Sequence, residues 1–170
     1  AHFMLLEALG SPLNKLGLLE VYVHTRSGHA IWVNPRTRLP RVYERFKGLI
    51  EKLYQEPVVE VDGEILLKLE KKTLAQLIDE LNPDLKILLS ERGESMSWSD
   101  LGRLVVSAKK PLLMIGGFPH GDFHESVYQM ADEIISIWPE PLEAWIITSR
   151  AISIIEHALG IGEQSTQRKP

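Results

Sequence analysis

Over the first eighty residues the spacing of apolar and polar positions changes period several times. Phe3, Leu5, Leu6 and Leu9 are apolar and the run stops at Gly10-Ser11-Pro12, so Phe3 to Leu9 reads as the end of a helix. Leu18 to Thr25 (LLEVYVHT) and His29 to Val33 (HAIWV) read as strands on either side of the turn Arg26-Ser27-Gly28, which predicts a hairpin. Tyr43 to Tyr54 places Phe46, Leu49, Ile50 and Leu53 at helical spacing, giving a helix with one dry face. Val58 to Val61 and Glu64 to Leu69 flank Asp62-Gly63, a strong signal for a tight hairpin turn. Thr73 and Gln76 form a capping box for a helix from Leu74 to Leu81, which Pro83 closes.

Beyond residue 84 the pattern becomes strand and helix in alternation. Strands are predicted over Leu85 to Leu89, Leu112 to Ile115 and Glu133 to Ile137, with helices from about Ser99 to Ser107 and from Leu142 to Leu159. Short apolar runs separated by helices imply an α/β fold with a mostly parallel sheet covered on both faces, to which the hairpin is an extension. In the last helix Leu142, Trp145, Ile146, Ser149, Ile152 and Leu159 fall near one face, with Glu143, Arg150 and Glu156 elsewhere. The polar stretch from Gly160 reads as a loose tail, so residues 1–160 are expected to form a single domain and residues 161–170 to trail from it.

Composition narrows this picture only modestly. A chain of 170 residues that is 44% hydrophobic can bury one substantial core. No apolar run approaches the roughly 20 residues needed to cross a bilayer, and the first residues lack the layout of a secretory signal, so a soluble, cytoplasmic protein without a membrane partner is expected. The absence of cysteine removes disulfides, thiolate metal sites and cysteine nucleophiles together. A net charge of −4 gives no sign of a nucleic-acid partner, although a phosphate-binding face needs only a local excess of Lys and Arg.

Three stretches could carry chemistry. The first, Ile115 to Phe123 (IGGFPHGDF), follows an apolar strand, and Gly116, Gly117 and Gly121 let backbone approach a ligand closely. His120, Asp122 and His124 alternate there as three metal-ligand types, but Gly121 and the want of a fourth ligand fit a ligand-hugging loop better, and no metal is assigned. The spacing does not match G-x-G-x-x-G, and no helix start is expected close behind it. A tight turn is the plainer reading. The second, Ile137 to Leu142 (IWPEPL), is a proline-stiffened loop after another strand, where open α/β sheets place ligands; Trp138 and its prolines could equally be cover for the last helix. The third, Asn34 to Phe46 (NPRTRLPRVYERF), carries Arg36, Arg38, Arg41 and Arg45 against Glu44 alone. Arg41 and Arg45 share a face if a helix begins near Pro40. Guanidinium groups bind phosphate in two-pronged fashion, while a solvated charged surface is the ordinary reading of such a run. Tyr43 and Phe46 could stack on bases, Phe46 being placed in the core first.

Taken in order, SPLNKLGLLEVYVHT, VNPRTRLPRVYERFKGLIEKL, IGGFPHGDF and ISIWPEPLEAW resemble the ribosome-biogenesis pseudouridine methyltransferases of the SPOUT class, the nucleolar essential protein family, in its archaeal branch. The resemblance spans nearly the whole chain. It implies a parallel sheet whose carboxyl-terminal part is threaded into a trefoil knot, an exception to the rule that chains do not thread loops. It also implies a homodimer, S-adenosylmethionine as cofactor with S-adenosylhomocysteine as product, and methylation of ring nitrogen N(1) of a pseudouridine in a hairpin of small-subunit ribosomal RNA. Three loops would form the cofactor pocket: Leu89 and Ser90; Gly116, Gly117, Phe118 and Gly121; and Ile137, Trp138, Pro139, Glu140, Pro141 and Leu142. Arg38, Arg41 and Arg45 match the family's substrate arginines; Arg36 lies outside that motif.

Two positions depart from the family pattern. Its Arg-Pro-Asp motif, just ahead of the residue matching His2, is not in this sequence, and Gly10 stands where Asp commonly precedes Ser-Pro. No catalytic base is therefore assigned, with His2 and Asp122 the two groups to consider. A knotted methyltransferase acting on another RNA position and a non-catalytic ribosomal RNA-binding assembly factor remain as alternatives. A small-molecule α/β enzyme explains a pocket but not the arginines.

Overall fold

The computed structural model of the chain describes residues 1–163, so most of the expected tail over 161–170 lies outside the described residues. Two compact units are present, Ala1–Leu81 and the remainder from Asn82.

In the first unit, helix α1 (His2–Gly10) is followed by one short turn of helix, α2 (Pro12–Lys15). Ser11 makes that break: its hydroxyl accepts the Asn14 N–H at 3.2 Å, and Pro12 takes the first helical position, where no N–H is needed. Strands β1 (Val21–His24), β2 (His29–Val33), β3 (Val58–Val61) and β4 (Glu64–Lys71) form an antiparallel sheet in the order β1-β2-β4-β3. The β3–β4 turn has Asp62 at φ 52° and Gly63 at φ 79°, the two left-handed residues that a tight hairpin requires. Helix α3 (Tyr43–Gln55) and α1 cover the sheet through Leu5, Phe46 and Leu53, packed with Ile31, Val33, Leu39, Leu67 and Leu69. Helix α4 (Leu74–Leu81) ends the unit; Thr73 and Gln76 exchange reciprocal hydrogen bonds at its start, 2.9 and 3.1 Å, as its sequence predicts.

The second unit holds β5 (Leu85–Ser95), α5 (Trp98–Ser107), β6 (Pro111–Ile115), α6 (Glu125–Met130), β7 (Glu133–Ser136) and α7 (Ala144–Ala158). Its three strands are parallel, in the order β6-β5-β7. Ile87, Leu89 and Ile135 of the sheet pack with Leu101 and Val105 of α5 and Ala151 and Ile154 of α7. At Gly102 an added Cβ would lie 2.9 Å from the Ala158 Cβ, so the missing side chain is what lets α5 and α7 approach.

Several expectations are corrected. The parallel sheet is confined to three strands, and the two hairpins read in the sequence join in an antiparallel sheet of their own rather than extending a mostly parallel one. Strand β5 runs on past Leu89 to Ser95, because polar residues 94 and 95 pair a second time with β7 after an irregularity. A helix does follow the glycine loop closely: α6 begins at Glu125, capped by the His124 ring, which accepts the Ser126 N–H at 3.2 Å. Helix α3 begins at Tyr43, so Arg41 precedes it and does not share a helical face with Arg45. In α7 the buried residues are Thr148, Ala151 and Ile154, whereas Trp145 and Leu159 are exposed, so the packed face is rotated away from the one predicted.

Candidate functional site

Register places the three loops of the second unit together. Leu89 is opposite Ile115 on one side and Ile135 on the other. Because the strands are parallel, the break in β5 pairing after Leu89, the segment that follows Ile115 and the segment that follows Ser136 lie towards the same end of the sheet. This is the carboxyl end of the strands, where open α/β sheets bind ligands. Leu89 itself is buried, Ser90 half-buried, and Gly117, Gly121, Trp138, Pro139, Glu140 and Pro141 exposed.

The glycines serve different ends. Gly121 has φ +90°, a conformation that side chains resist, with nothing within 4 Å of a Cβ built there. Gly116 is crowded instead: an added Cβ would stand 2.7 Å from Phe118 Cε2 and 3.0 Å from Phe123 Cζ. Those two rings meet edge to face at 5.0 Å and fold over the strand end. In the 137–142 segment the Ile137 carbonyl accepts the Trp98 indole N–H at 2.9 Å and the Trp138 carbonyl accepts the Ser136 hydroxyl at 2.7 Å, which fixes the chain where it leaves β7.

Asp122 is engaged by its surroundings. The Tyr128 hydroxyl donates to its Oδ1 at 2.6 Å and the Arg92 guanidinium reaches its Oδ2 at 3.3 Å. These contacts, Tyr128 foremost, hold its carboxyl below the ordinary carboxylate range, which makes it a weak proton acceptor. Asp122 and His124 are thus committed to Tyr128 and to the α6 cap, and the alternation His120, Asp122, His124 does not come together as a ligand set; among the described residues no group of three or more candidate ligands converges on a metal position. His2 is also structural: its Nε2 donates to the Pro40 carbonyl at 2.7 Å, its ring stacks on Phe46 at 4.3 Å, and it is buried.

In the first unit the arginines sort into two kinds. Arg36 is paired with Glu64 at 3.3 Å. Arg38, Arg41 and Arg45 are exposed, and among the described residues their guanidinium groups have no ion pair or hydrogen bond. Thr37 and Asn34 anchor the segment, Thr37 Oγ1 donating to the Leu66 carbonyl at 3.0 Å and Asn34 Nδ2 to the Ile65 carbonyl at 2.8 Å. Tyr43 is exposed and Phe46 buried, so only the first remains available for stacking. Sequence reasoning missed Arg92, Tyr128 and Trp98. Tyr128 meets Ser90 across 38 residues and Trp98 meets Ile137 across 39, separations over which no local motif operates.

The EMG1/NEP1 methyltransferase family model matches residues 1–156. The chain is 50% identical over 151 residues to the ribosomal RNA small subunit methyltransferase Nep1 of Pyrococcus furiosus, covering 89% of this chain and 66% of that protein. It is 44% identical over 156 residues to the Nep1 of Thermococcus onnurineus, covering 92% and 69%. Among solved structures, the crystal structure of Archaeoglobus fulgidus Nep1 bound to S-adenosylhomocysteine matches with TM-score 0.78 and 33% identity, over 94% of this chain and 69% of that one. The chain therefore spans about two thirds of the length of the relatives it matches.

Proposed function

The chain belongs to the EMG1/NEP1 methyltransferase family, and from that premise we propose that it methylates ring nitrogen N(1) of a pseudouridine in a small-subunit ribosomal RNA hairpin, using S-adenosylmethionine, in ribosome biogenesis. The observation that supports this reading is the register at Leu89, opposite both Ile115 and Ile135, with the β5 break and the two following loops towards one end of the sheet.

In this reading Leu89 and Ser90, Gly116, Gly117, Phe118 and Gly121, and residues 137–142 hold the cofactor. The donor set fits a bulky, largely apolar ligand with a polar sugar: the left-handed Gly121, the half-buried Ser90 and the exposed Trp138 stand at the strand ends. S-adenosylmethionine, when bound, supplies an already activated methyl group. The protein has to position the acceptor and ease loss of its proton. A base within a folded hairpin is out of reach, so it is turned out of its stack before reaction. Arg38, Arg41 and Arg45, with no partners among the described residues, hold RNA phosphates, and one guanidinium near the uracil carbonyl stabilises the charge left as the N(1) proton departs. Asp122, held ionised by Tyr128 and Arg92, is not assigned as the base.

Residues 1–160 are read as one methyltransferase domain that works as a cytoplasmic homodimer. A trefoil knot is read in the second unit, supported by the broken pairing of β5 with β7 and by Gly93, where an added Cβ would lie 2.5 Å from the backbone of Ile134 and Ile135.

The test is transfer of a radiolabelled methyl group to a ribosomal RNA hairpin bearing pseudouridine and to the same hairpin bearing uridine, which offers no N(1) proton. Label on the first alone supports the reading. Equal label on both indicates another RNA position, and tight binding without transfer indicates an assembly factor.

A further inference from the structure

The segment over residues 116–123 contains neither helix nor strand, yet in the cofactor reading it holds a ligand in one pose. The side chains that anchor it meet at Tyr128, which is 7% exposed. The Tyr128 hydroxyl lies 2.6 Å from Asp122 Oδ1 and 2.9 Å from Ser90 Oγ. An ionised carboxylate only accepts, so the tyrosine proton lies towards Asp122 and Ser90 donates to the tyrosine oxygen. Ser90 Oγ in turn accepts the Arg92 backbone N–H at 3.2 Å. The Arg92 guanidinium closes the circuit, 3.3 Å from Asp122 and 3.4 Å from Glu125, with its central carbon 4.0 Å from the centroid of the Tyr128 ring. Asp122 Oδ1 also accepts the Phe123 N–H at 2.7 Å, and the Phe123 ring meets Tyr128 edge to face at 6.0 Å.

We propose that the Ser90–Tyr128–Asp122 chain, braced by Arg92, is a latch that ties the glycine loop to the break in β5 pairing just beyond Leu89 and so preorganises the cofactor pocket, with Tyr128 as its central positioning residue. This rests on the cofactor reading above. The Tyr128 hydroxyl bonds both Ser90 of β5 and Asp122 of the glycine loop. A loop that has to be ordered when the ligand arrives weakens binding by the cost of ordering it, and the latch meets that cost during folding. A net hydrogen bond is worth about 0.5–1.5 kcal/mol, so losing the hydroxyl corresponds to roughly 2- to 12-fold in affinity.

The test is calorimetric titration of the whole chain with S-adenosylhomocysteine for the parent, Gly116→Leu, Tyr128→Phe, Asp122→Ala and the Tyr128→Phe/Asp122→Ala double variant, with melting temperatures for each. Phenylalanine keeps the ring packing on Phe123 and Arg92 and removes only the hydroxyl. Expected are binding by the parent, loss in Gly116→Leu, and weakening of about 2- to 12-fold in each latch variant. The double variant is expected to bind no more weakly than Asp122→Ala alone, because removing the carboxylate already breaks the contact that the tyrosine hydroxyl makes with the loop. In methyl transfer, KM for S-adenosylmethionine rises in Tyr128→Phe while kcat at saturation is unchanged. Parent-like affinity in Tyr128→Phe, or losses that multiply in the double variant, overturns the latch while leaving the cofactor reading intact. If Tyr128→Phe does not fold, Asp122→Ala carries the same comparison at an exposed site. Absence of binding by the parent, or parent-like binding by Gly116→Leu, overturns the cofactor reading and the latch together.

Discussion

Gly93 sits where β5 meets β7 for the second time, and replacing it with alanine tests how closely the two backbones pass. A Cβ at that position would be 2.5 Å from the Ile134 carbonyl carbon, its oxygen and the Ile135 nitrogen, against 3.4–4 Å for ordinary contact. Relief therefore needs a displacement of 3.4 − 2.5, or 0.9 Å. All three atoms belong to one peptide group, so no rotamer change provides it; the strands must separate, at the expense of the pairings Glu94↔Ile135 and Ser95↔Ser136. Overpacking of this kind costs about 1–3 kcal/mol or more. For a chain of this size each kcal/mol lowers Tm by about 2–4 °C, giving a fall of roughly 2–12 °C. Gly48 is the internal control. It lies in α3 with nothing within 4 Å of a built Cβ, so Gly48→Ala is expected to stabilise by about 0.5–1 kcal/mol. Differential scanning calorimetry of both variants reads the opposite signs. A Gly93→Ala protein that melts at or above the parent temperature refutes the close passage.

Two further outcomes follow from the charged groups. Arg38→Ala, Arg41→Ala and Arg45→Ala should each weaken RNA binding and flatten the log K against log salt slope by about 1, with melting temperatures unchanged, since these side chains have no partners among the described residues to lose; Arg36→Ala, already paired with Glu64, should do less. Equal binding loss with unchanged turnover for all three would remove the electrostatic role assigned to one of them. Hydrogen bonds from Lys68 and Lys72 bring the Glu70 carboxyl down to about 2 from an ordinary 4.5. Its contribution to stability is therefore complete above about pH 4.5 and declines as pH falls towards about 2. Because Glu70 is 39% exposed, the effect is modest. Melting of Glu70→Gln against pH should show a deficit that is constant from about pH 5 to 8 and closes in acid; a deficit that widens in acid contradicts the assignment.

What the sequence made legible was local. The Asp62-Gly63 turn and the Thr73/Gln76 capping box act within four residues, and both are present as read. The limits of α3, α4, α5 and β6 follow equally from short-range pattern. The errors arise where a distant partner decides. Residues 94 and 95 are polar and read as loop, but β7 pairs with them. Trp145 and Leu159 are large and apolar and suggest a buried face, yet the smaller Thr148 and Ala151 occupy it. Arg41 is a local case: Val42, extended at φ −80° and ψ 124°, precedes α3, which starts at Tyr43 as its pattern predicts. Of the candidate site, the glycine and proline loops could be found as strand-end punctuation, and the arginines as an unbalanced run of charge. The Tyr128 connection could not, because its partners stand 6 and 38 residues away in different elements.

We propose that Ser90 and the two loops that follow β6 and β7 hold the cofactor. The most direct test is a photo-crosslinking measurement, in which an azido-adenine analogue of S-adenosylmethionine is irradiated with the chain and the labelled peptides are identified by mass spectrometry. Label is expected in residues 137–142, with lesser label in residues 116–121, abolished by excess S-adenosylhomocysteine. Competable label confined to residues 1–81, away from all three loops, would contradict it.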